Sequence, residues 1–349
     1  MGERRLKTAV LGLDDAGKLL LDSACELGHF QIQAVADRDP NLAQMFADQY
    51  NCAAYDDYRR LVMQNQLDCL LVAAPIHTCN EHLRTAVKKK FNILKLPPPA
   101  RNLEEAAEFV RLSDDEHVKF AVANPGRFTP ALPELLQQYP REQVFLLTAA
   151  CHLYPEHRPS WESDLKLAGG GVLLHRCFGI IDLIVSQFDM PQQVYALTTN
   201  WAHDRQQRLY RTEEAALVTM KFSDSLIANL MACPDNGAPP QAQTIRLYTA
   251  DKILTVSENG LTGNNRQEQR ADESPPGGQG LLDMKKVLEN FALSILSPDN
   301  VKLCSTVREN LRNMAVIEAA YLSARTAMPE EPGRILRAAF CEPRFIWPP

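Results

Sequence analysis

A strand, a tight turn and a helix are written into the first 28 residues, and they constrain the fold more than anything that follows. The apolar run TAVLGL (8–13) leads through Asp14-Asp15-Ala16-Gly17 into KLLLDSACELG, where apolar residues recur at helical spacing. Such a junction points the unbonded N–H groups of a new helix at the end of a buried strand, which makes a ready anion site. The fingerprint G-x-G-x-x-G opens room there for phosphate. This chain supplies Gly12 and Gly17 but carries Asp14 where the middle glycine belongs. From there to about residue 124, strand and helix alternate. FQIQAVAD is a strand, NLAQMFADQY lies in a helix, LDCLLVAAP is a third strand and NEHLRTAVKKK is helical. The short strand FNILKL, the helix LEEAAEFVRLSDDE and the strand VKFAVAN complete the series. That alternation predicts an α/β fold with a doubly wound parallel sheet over residues 1–124.

The pattern changes after Pro125-Gly126, a turn dipeptide that marks the expected domain boundary. QVFLLTAACHLY, QVYALTTNWAH, ALVTMKF, SLIANLMAC, TIRLYT and KILTVS read as longer strands joined by short turns. Residues 125–349 are therefore expected to form an α+β domain with an open, mainly antiparallel sheet. Within it, GGGVLLHRCFGIIDLIVSQF reads as one apolar helix entered through three glycines, and 264–280 as a polar surface loop. The stretches 284–296 and 306–326 are expected to be helical. A chain of 349 residues suits two domains. Its formal net charge of -6 gives no electrostatic reason to expect nucleic acid or anionic membrane as a partner. No apolar run approaches the roughly 20 residues that span a bilayer. Nine cysteines without a C-x-x-C pair, behind an N-terminus without a signal-peptide core, point to reduced thiols in the cytoplasm.

Taken in order, these landmarks resemble the glucose–fructose oxidoreductase / inositol dehydrogenase (Gfo/Idh/MocA) family over nearly the whole chain. The likeness is carried by the first strand–turn–helix, Asp37 at the end of the second strand, and Ala74-Pro75 after the third. It continues through Arg127-Phe128, Gly169-Gly170-Gly171, LENFALSIL and the closing ENLRNMAVIEAAYLSAR. The resemblance implies an N-terminal Rossmann domain and a sheet domain that supplies a substrate wall and a homo-oligomer interface. It also implies a terminal helix that returns to the N-terminal domain, and NAD- or NADP-dependent oxidation of a sugar, cyclitol or related polyol. The cofactor-side positions it implies are Gly12, Asp14, Gly17, Asp37, Arg38, Pro75 and His77.

Several of those positions depart from the family pattern. At Asp14 two readings stand open. Its carboxylate caps the helix, or the turn still accepts phosphate. Two unit charges ~4 Å apart repel by about 4 kcal/mol at a protein-surface dielectric, so an inward Asp14 opposes a pyrophosphate. Asp37 stands about twenty residues after Gly17, where an acid binds ribose hydroxyls, although an Asp after a strand is also a common turn former. Arg38 beside it suits a 2′-phosphate, which leaves NADP open. The family's Glu-Lys-Pro, whose lysine positions the substrate hydroxyl, is replaced by Leu96-Pro97-Pro98. Lys95 lies two residues earlier, about 6–7 Å back along the strand, and is the candidate substitute. The family's Asp and, four residues on, His after the glycines become His175 and Gly179. His175 is a candidate acid–base group with no partner at helical spacing. Asp182 is expected to be a structural hydrogen-bonding residue.

Other clusters carry less. His77-Thr78-Cys79 with His82 lacks a fourth ligand at sensible spacing, so no metal is expected. His152 and His157 are read as cleft-lining or surface-loop residues, and Lys88-Lys89-Lys90 as a solvated helix end. Two functions follow. One is a Rossmann-type binding or regulatory protein from which the usual hydride-transfer chemistry has been lost. The other is an oxidoreductase that uses NAD or NADP on a sugar-like polyol through an atypical site.

Overall fold

The structure, a computed structural model, describes residues 4–128, 131–153, 159–202, 204–234, 243–257, 260–263 and 278–341. His157 and the polar run 264–277 lie outside the described residues. The chain forms two compact units, and both are discontinuous in sequence. The first comprises Met1–Ala100, Glu108–Phe128 and Pro275–Asn310; the second comprises Arg101–Ala107, Thr129–Ser274 and Leu311–Pro349.

In the first unit the order is β1 (Leu6–Leu11), α1 (Asp15–Leu27), β2 (Phe30–Ala36), α2 (Pro40–Tyr50), β3 (Ala53–Tyr55) and α3 (Tyr58–Gln64). It continues with β4 (Cys69–Val72), α4 (Ile76–Lys88), β5 (Asn92–Lys95), α5 (Leu103–Asp115), which belongs to this unit only from Glu108 onward, and β6 (Phe120–Val122). The strands stand in the order β3-β2-β1-β4-β5-β6, every neighbouring pair parallel. This is the Rossmann arrangement, with its switch point between β1 and β4. β1 and β4 are buried almost throughout, as strands covered on both faces must be. Asp14, Asp39 and Asp57 cap the starts of α1, α2 and α3 through their side chains, which fixes where each helix begins. β3 was not expected: three residues show no alternation, and the strand exists because its backbone completes the edge of β2.

The second unit follows with α6 (Ala131–Gln138), β7 (Leu146–Leu153), α7 (Leu165–Ala168), α8 (Val172–His175), α9 (Phe178–Phe188) and β8 (Gln193–Thr199). Then come α10 (Arg205–Tyr210), β9 (Ala215–Lys221), β10 (Ile227–Pro234), β11 (Gln243–Tyr248), β12 (Ile253–Ser257) and β13 (Gly260–Gly263). Its sheet runs β13-β12-β11-β7-β10-β9-β8, antiparallel except for the β7–β10 pair. β8 and β9 alternate buried and exposed residues, so this sheet packs on one face only. The single apolar helix expected after the glycines is broken. Cys177 N–H donates to Val172 O at 2.9 Å instead of to the carbonyl four residues back, which widens the turn and separates α8 from α9. The Leu165–His175 and Phe178–Phe188 segments meet at a bend of 54°.

Three helices close the described chain: α11 (Gly278–Leu296), α12 (Val307–Thr326) and α13 (Pro332–Cys341). Gly278–Gly280, expected in the surface loop, form the first turn of α11. α11 belongs to the first unit, where Leu288 and Phe291 join Leu20 and Leu21 of α1 in a core completed by Leu71 and Leu94 of the sheet. From Leu311 onward α12 belongs to the second unit. Among the described residues no single helix is long and apolar enough to cross a membrane.

Phe291 is fully buried, so Phe291→Ala is expected to cost about 3–5 kcal/mol. Urea denaturation measures it, and a loss below about 1 kcal/mol shows that α11 is not part of the first unit's core.

Candidate functional site

The β1–α1 turn is set by close approach. Gly12 has φ +84°, and a Cβ built on it lies 2.4 Å from Ala74 N. A Cβ on Gly17 lies 2.0 Å from Gly12 O, so α1 packs on the turn only because both residues lack side chains. Asp14 has extended backbone, and its Oδ1 accepts from Gly17 N at 3.0 Å. That carboxylate takes one of the N–H groups a helix start offers to an anion. Asp14 itself is exposed.

Parallel strands bring the remaining cofactor-side residues to the same edge. Asp37 follows β2 and uses both carboxylate oxygens on backbone, Oδ2 accepting from Leu13 N at 2.8 Å and Oδ1 from Asp39 N at 3.0 Å. It therefore braces the turn, and its remaining lone pairs are what a ribose could use. Arg38 beside it is exposed. Tyr58 of α3 is buried nearby. Burial, reinforced by the Asp37 carboxylate, holds its phenol well above the ordinary value. Pro75 precedes α4 and His77 sits half-buried in that helix's first turn. The hydroxyl of Thr78 and the thiol of Cys79 turn back to Pro75 O and Ala74 O, at 2.7 and 3.5 Å, and so serve the loop itself.

Lys95 ends β5 and is only 3% exposed. Its Nζ donates to Pro98 O at 2.8 Å and to Leu96 O at 3.4 Å. The ammonium is thus engaged by the backbone of the Leu96-Pro97-Pro98 turn. Proline at 97 offers neither charge nor proton.

The substrate-side candidates belong to the second unit. His175 ends α8, its Nε2 lies 3.0 Å from Ala168 O and its ring meets Trp161 edge-on at 5.4 Å. A carbonyl only accepts, so Nε2 carries a hydrogen. The break between α8 and α9 removes the premise that His175 and Gly179 share one helix face. Gly179 is exposed, and no described atom lies within 4 Å of a Cβ built there. Asp182 is buried and its Oδ1 accepts from Asn313 Nδ2 at 2.7 Å. Cys177, two residues from His175, is no nucleophile: its hydrogen bond to Cys151, together with burial, pushes the thiol well above its ordinary range. His152 of β7 lies 3.8 Å from the Cys233 thiol. No group of three or more His, Cys, Asp or Glu among the described residues is arranged to hold a metal ion.

Sequence reasoning passed over Thr212-Glu213-Glu214, three consecutive buried polar residues just before β9. Each holds another segment. Thr212 donates to Glu162 O at 2.6 Å, and Glu214 accepts from Trp201 N at 2.7 Å. Glu213 accepts from Gly171 N (2.8 Å), Leu173 N (3.0 Å) and the Tyr321 hydroxyl (2.8 Å). Polar residues preceding an alternating strand look like an ordinary solvated turn, so nothing in the periodicity flagged them.

Residues 6–124 match the family described as "Oxidoreductase family, NAD-binding Rossmann fold" (GFO_IDH_MocA). The chain is 28% identical over 173 residues to a dTDP-3,4-didehydro-2,6-dideoxy-alpha-D-glucose 3-reductase of Saccharopolyspora spinosa, covering 48% of this chain and 52% of that protein. It is 26% identical over 205 residues to a 2,7-anhydro-N-acetylneuraminate hydratase of Mediterraneibacter gnavus, covering 56% and 53%. The chain thus spans about half the length of the curated relatives it matches. Levoglucosan dehydrogenase, solved in complex with NADH and levoglucosan, superposes with a TM-score of 0.80 at 15% identity, covering 94% of this chain and 99% of that one. At that identity the likeness speaks for the fold alone.

Burial raises the Glu213 carboxyl above its ordinary 4.5 in spite of its hydrogen bonds; Tyr321 of α12 and Cys177 at the start of α9 face it. A carboxyl raised by folding contributes stability below pH 4.5 that is lost as pH rises through the folded value. The urea stability of the native protein relative to Glu213→Gln is therefore expected to fall as pH rises from 4.5 through neutrality. A flat difference across that range contradicts the raised value.

Proposed function

We propose that this chain, whose residues 6–124 match the oxidoreductase family with an NAD-binding Rossmann fold, Gfo/Idh/MocA, is a binding or regulatory member without that family's usual hydride-transfer chemistry. The observation that carries the reading is the engagement of Lys95 by Pro98 O at 2.8 Å beside Pro97. A buried ammonium already bonded to backbone is not offered to a substrate hydroxyl, and proline at 97 supplies no substitute. Asp14 adds to it on the nucleotide side, since its carboxylate sits on a helix-start N–H that would otherwise face a pyrophosphate. Gly12, Gly17, Asp37, Pro75 and His77 keep the frame of a dinucleotide site, so residual affinity for NAD or NADP is expected, weakened by that one carboxylate. The natural ligand class for the second unit is a sugar-like polyol, by analogy with the levoglucosan of the structural neighbour.

A second reading, an active oxidoreductase with an atypical site, is favoured by His175. Its ring is held by Ala168 O and Trp161, with a defined proton on Nε2, and general acid–base help of that kind is worth roughly 10²–10⁴-fold. The nicotinamide would supply or accept the hydride; the chain's own part is to hold His175 and to exclude water.

Titration of the native protein and of Asp14→Gly with NADH and NADPH, followed by nicotinamide fluorescence and calorimetry, separates the readings. The proposal expects the variant to bind roughly tenfold or more tightly than the native protein, from removal of one facing charge. Micromolar binding by the native protein, with turnover on a polyol, overturns it in favour of the second reading.

The open face of the second unit's sheet bears on partners. Leu197, Leu217 and Ile227 are about half exposed, and Leu197 pairs with Leu217, which pairs in turn with Met231 across β8, β9 and β10. A continuous apolar row on a sheet face calls for a cover, and a second copy of this chain is the occupant we propose. Light scattering is expected to find an oligomer that Leu197→Asp with Leu217→Asp converts to monomer. A native protein that is monomeric at micromolar concentration overturns the assignment.

A further inference from the structure

We propose that Glu213, assisted by Tyr321, is the positioning residue that sets the orientation and the tautomer of His175. α8 is a single helical turn, too short to hold itself, and its N-cap residue Gly171 has no side chain to cap it. Three successive amides there are bonded to one residue: Gly171 N to Glu213 Oε2, Val172 N to Glu213 O at 3.2 Å, and Leu173 N to Glu213 Oε1. The cap is thus supplied from the segment before β9, and Tyr321 of α12 steadies it through its hydroxyl.

The glycines are the counterpart of this arrangement. A Cβ on Gly171 lies 2.0 Å from Glu213 O, and one on Gly170 lies 2.2 Å from the Tyr321 hydroxyl oxygen. Side chains are absent there because Glu213 and Tyr321 occupy the space. Both ends of the His175 constraint lie in this turn. Its backbone N–H donates to Gly171 O at 2.9 Å, and its ring returns to Ala168 O on the other side of the glycines. Loosening Gly171 and Leu173 moves the ring away from the carbonyl that keeps its proton on Nε2. The second reading above gives this orientation a chemical consequence; the positioning itself does not depend on that reading.

The test is 15N-histidine NMR, with long-range proton–nitrogen correlations reporting tautomer and titration, and His175 assigned by His175→Gln. The native protein is expected to show a neutral His175 ring protonated at Nε2. In Glu213→Gln the amide NH2 replaces one acceptor and opposes one backbone donor, so part of the population is expected to move to the Nδ1-protonated form. The titration midpoint is expected to shift by roughly half a pH unit or more. Tyr321→Phe is expected to give a smaller change of the same kind. Asn313→Ala, which removes the bond to buried Asp182 in the same unit, lowers stability and is expected to leave His175 unmoved. A folded Glu213→Gln whose His175 signals match the native protein overturns the proposal. Should that variant not fold, Tyr321→Phe decides alone, and an unchanged His175 there overturns it as well. A His175 that moves in a protein without NADH-linked activity upholds the positioning and tells only against the second reading.

Discussion

Helix α1 lies against the end of β1 only because neither Gly12 nor Gly17 carries a side chain. A single methyl at either place would sit within 2.4 Å of a backbone atom, and no rotamer relieves a backbone clash. That approach fixes the first crossover of the sheet and the switch point between β1 and β4. It also leaves the amides at the start of α1 pointing out of the strand edge in want of an acceptor. The constraint is purely steric, so it persists whether or not a dinucleotide ever enters.

What satisfies those amides is where this chain differs from a plain dinucleotide turn. Asp14 supplies a carboxylate to Gly17 N. The second unit repeats the device, with the carboxylate of Glu213 bonded to Gly171 N and Leu173 N. In both places a glycine-rich nest of N–H groups, the arrangement that elsewhere binds anions, is filled by the chain's own acid. Lys95 is the complementary case, a cation that donates to carbonyls of its own turn. Groups that could meet a ligand are bonded internally instead.

Much of this was legible beforehand. The parallel sheet, with five of its six strands, follows from strand–helix alternation, and the antiparallel sheet from the long strands after Pro125-Gly126. Both rest on patterns repeated over many residues. Asp14 was legible as a cap because a short acid before a helical run has a local use. The broken helix at Arg176-Cys177 was not, because nothing in GGGVLLHRCFGIIDLIVSQF interrupts its apolar spacing; the break lies in one displaced hydrogen bond to Val172 O. β3 was missed because three residues carry no period, and Glu213 because its partners are about 40 and 108 residues away. Contacts of that range leave no trace in local spacing, and they are the ones that arrange the candidate site.

The two self-supplied carboxylates differ in what their removal costs, and the difference decides which turn a ligand can reclaim. Asp14 is exposed, and a helix cap is worth about 1 kcal/mol, with glycine at that place costing only a few tenths. An anion that offers the same amides several oxygens can displace it at small expense. Glu213 is buried against three donors, and each donor left unsatisfied there costs about 1–3 kcal/mol. No anion of ordinary affinity recovers that sum while also entering a space already filled by Glu213 O and Tyr321. The nucleotide turn is therefore closed by a residue that a ligand or a single substitution can move, whereas the glycine turn that carries His175 is closed by the fold itself.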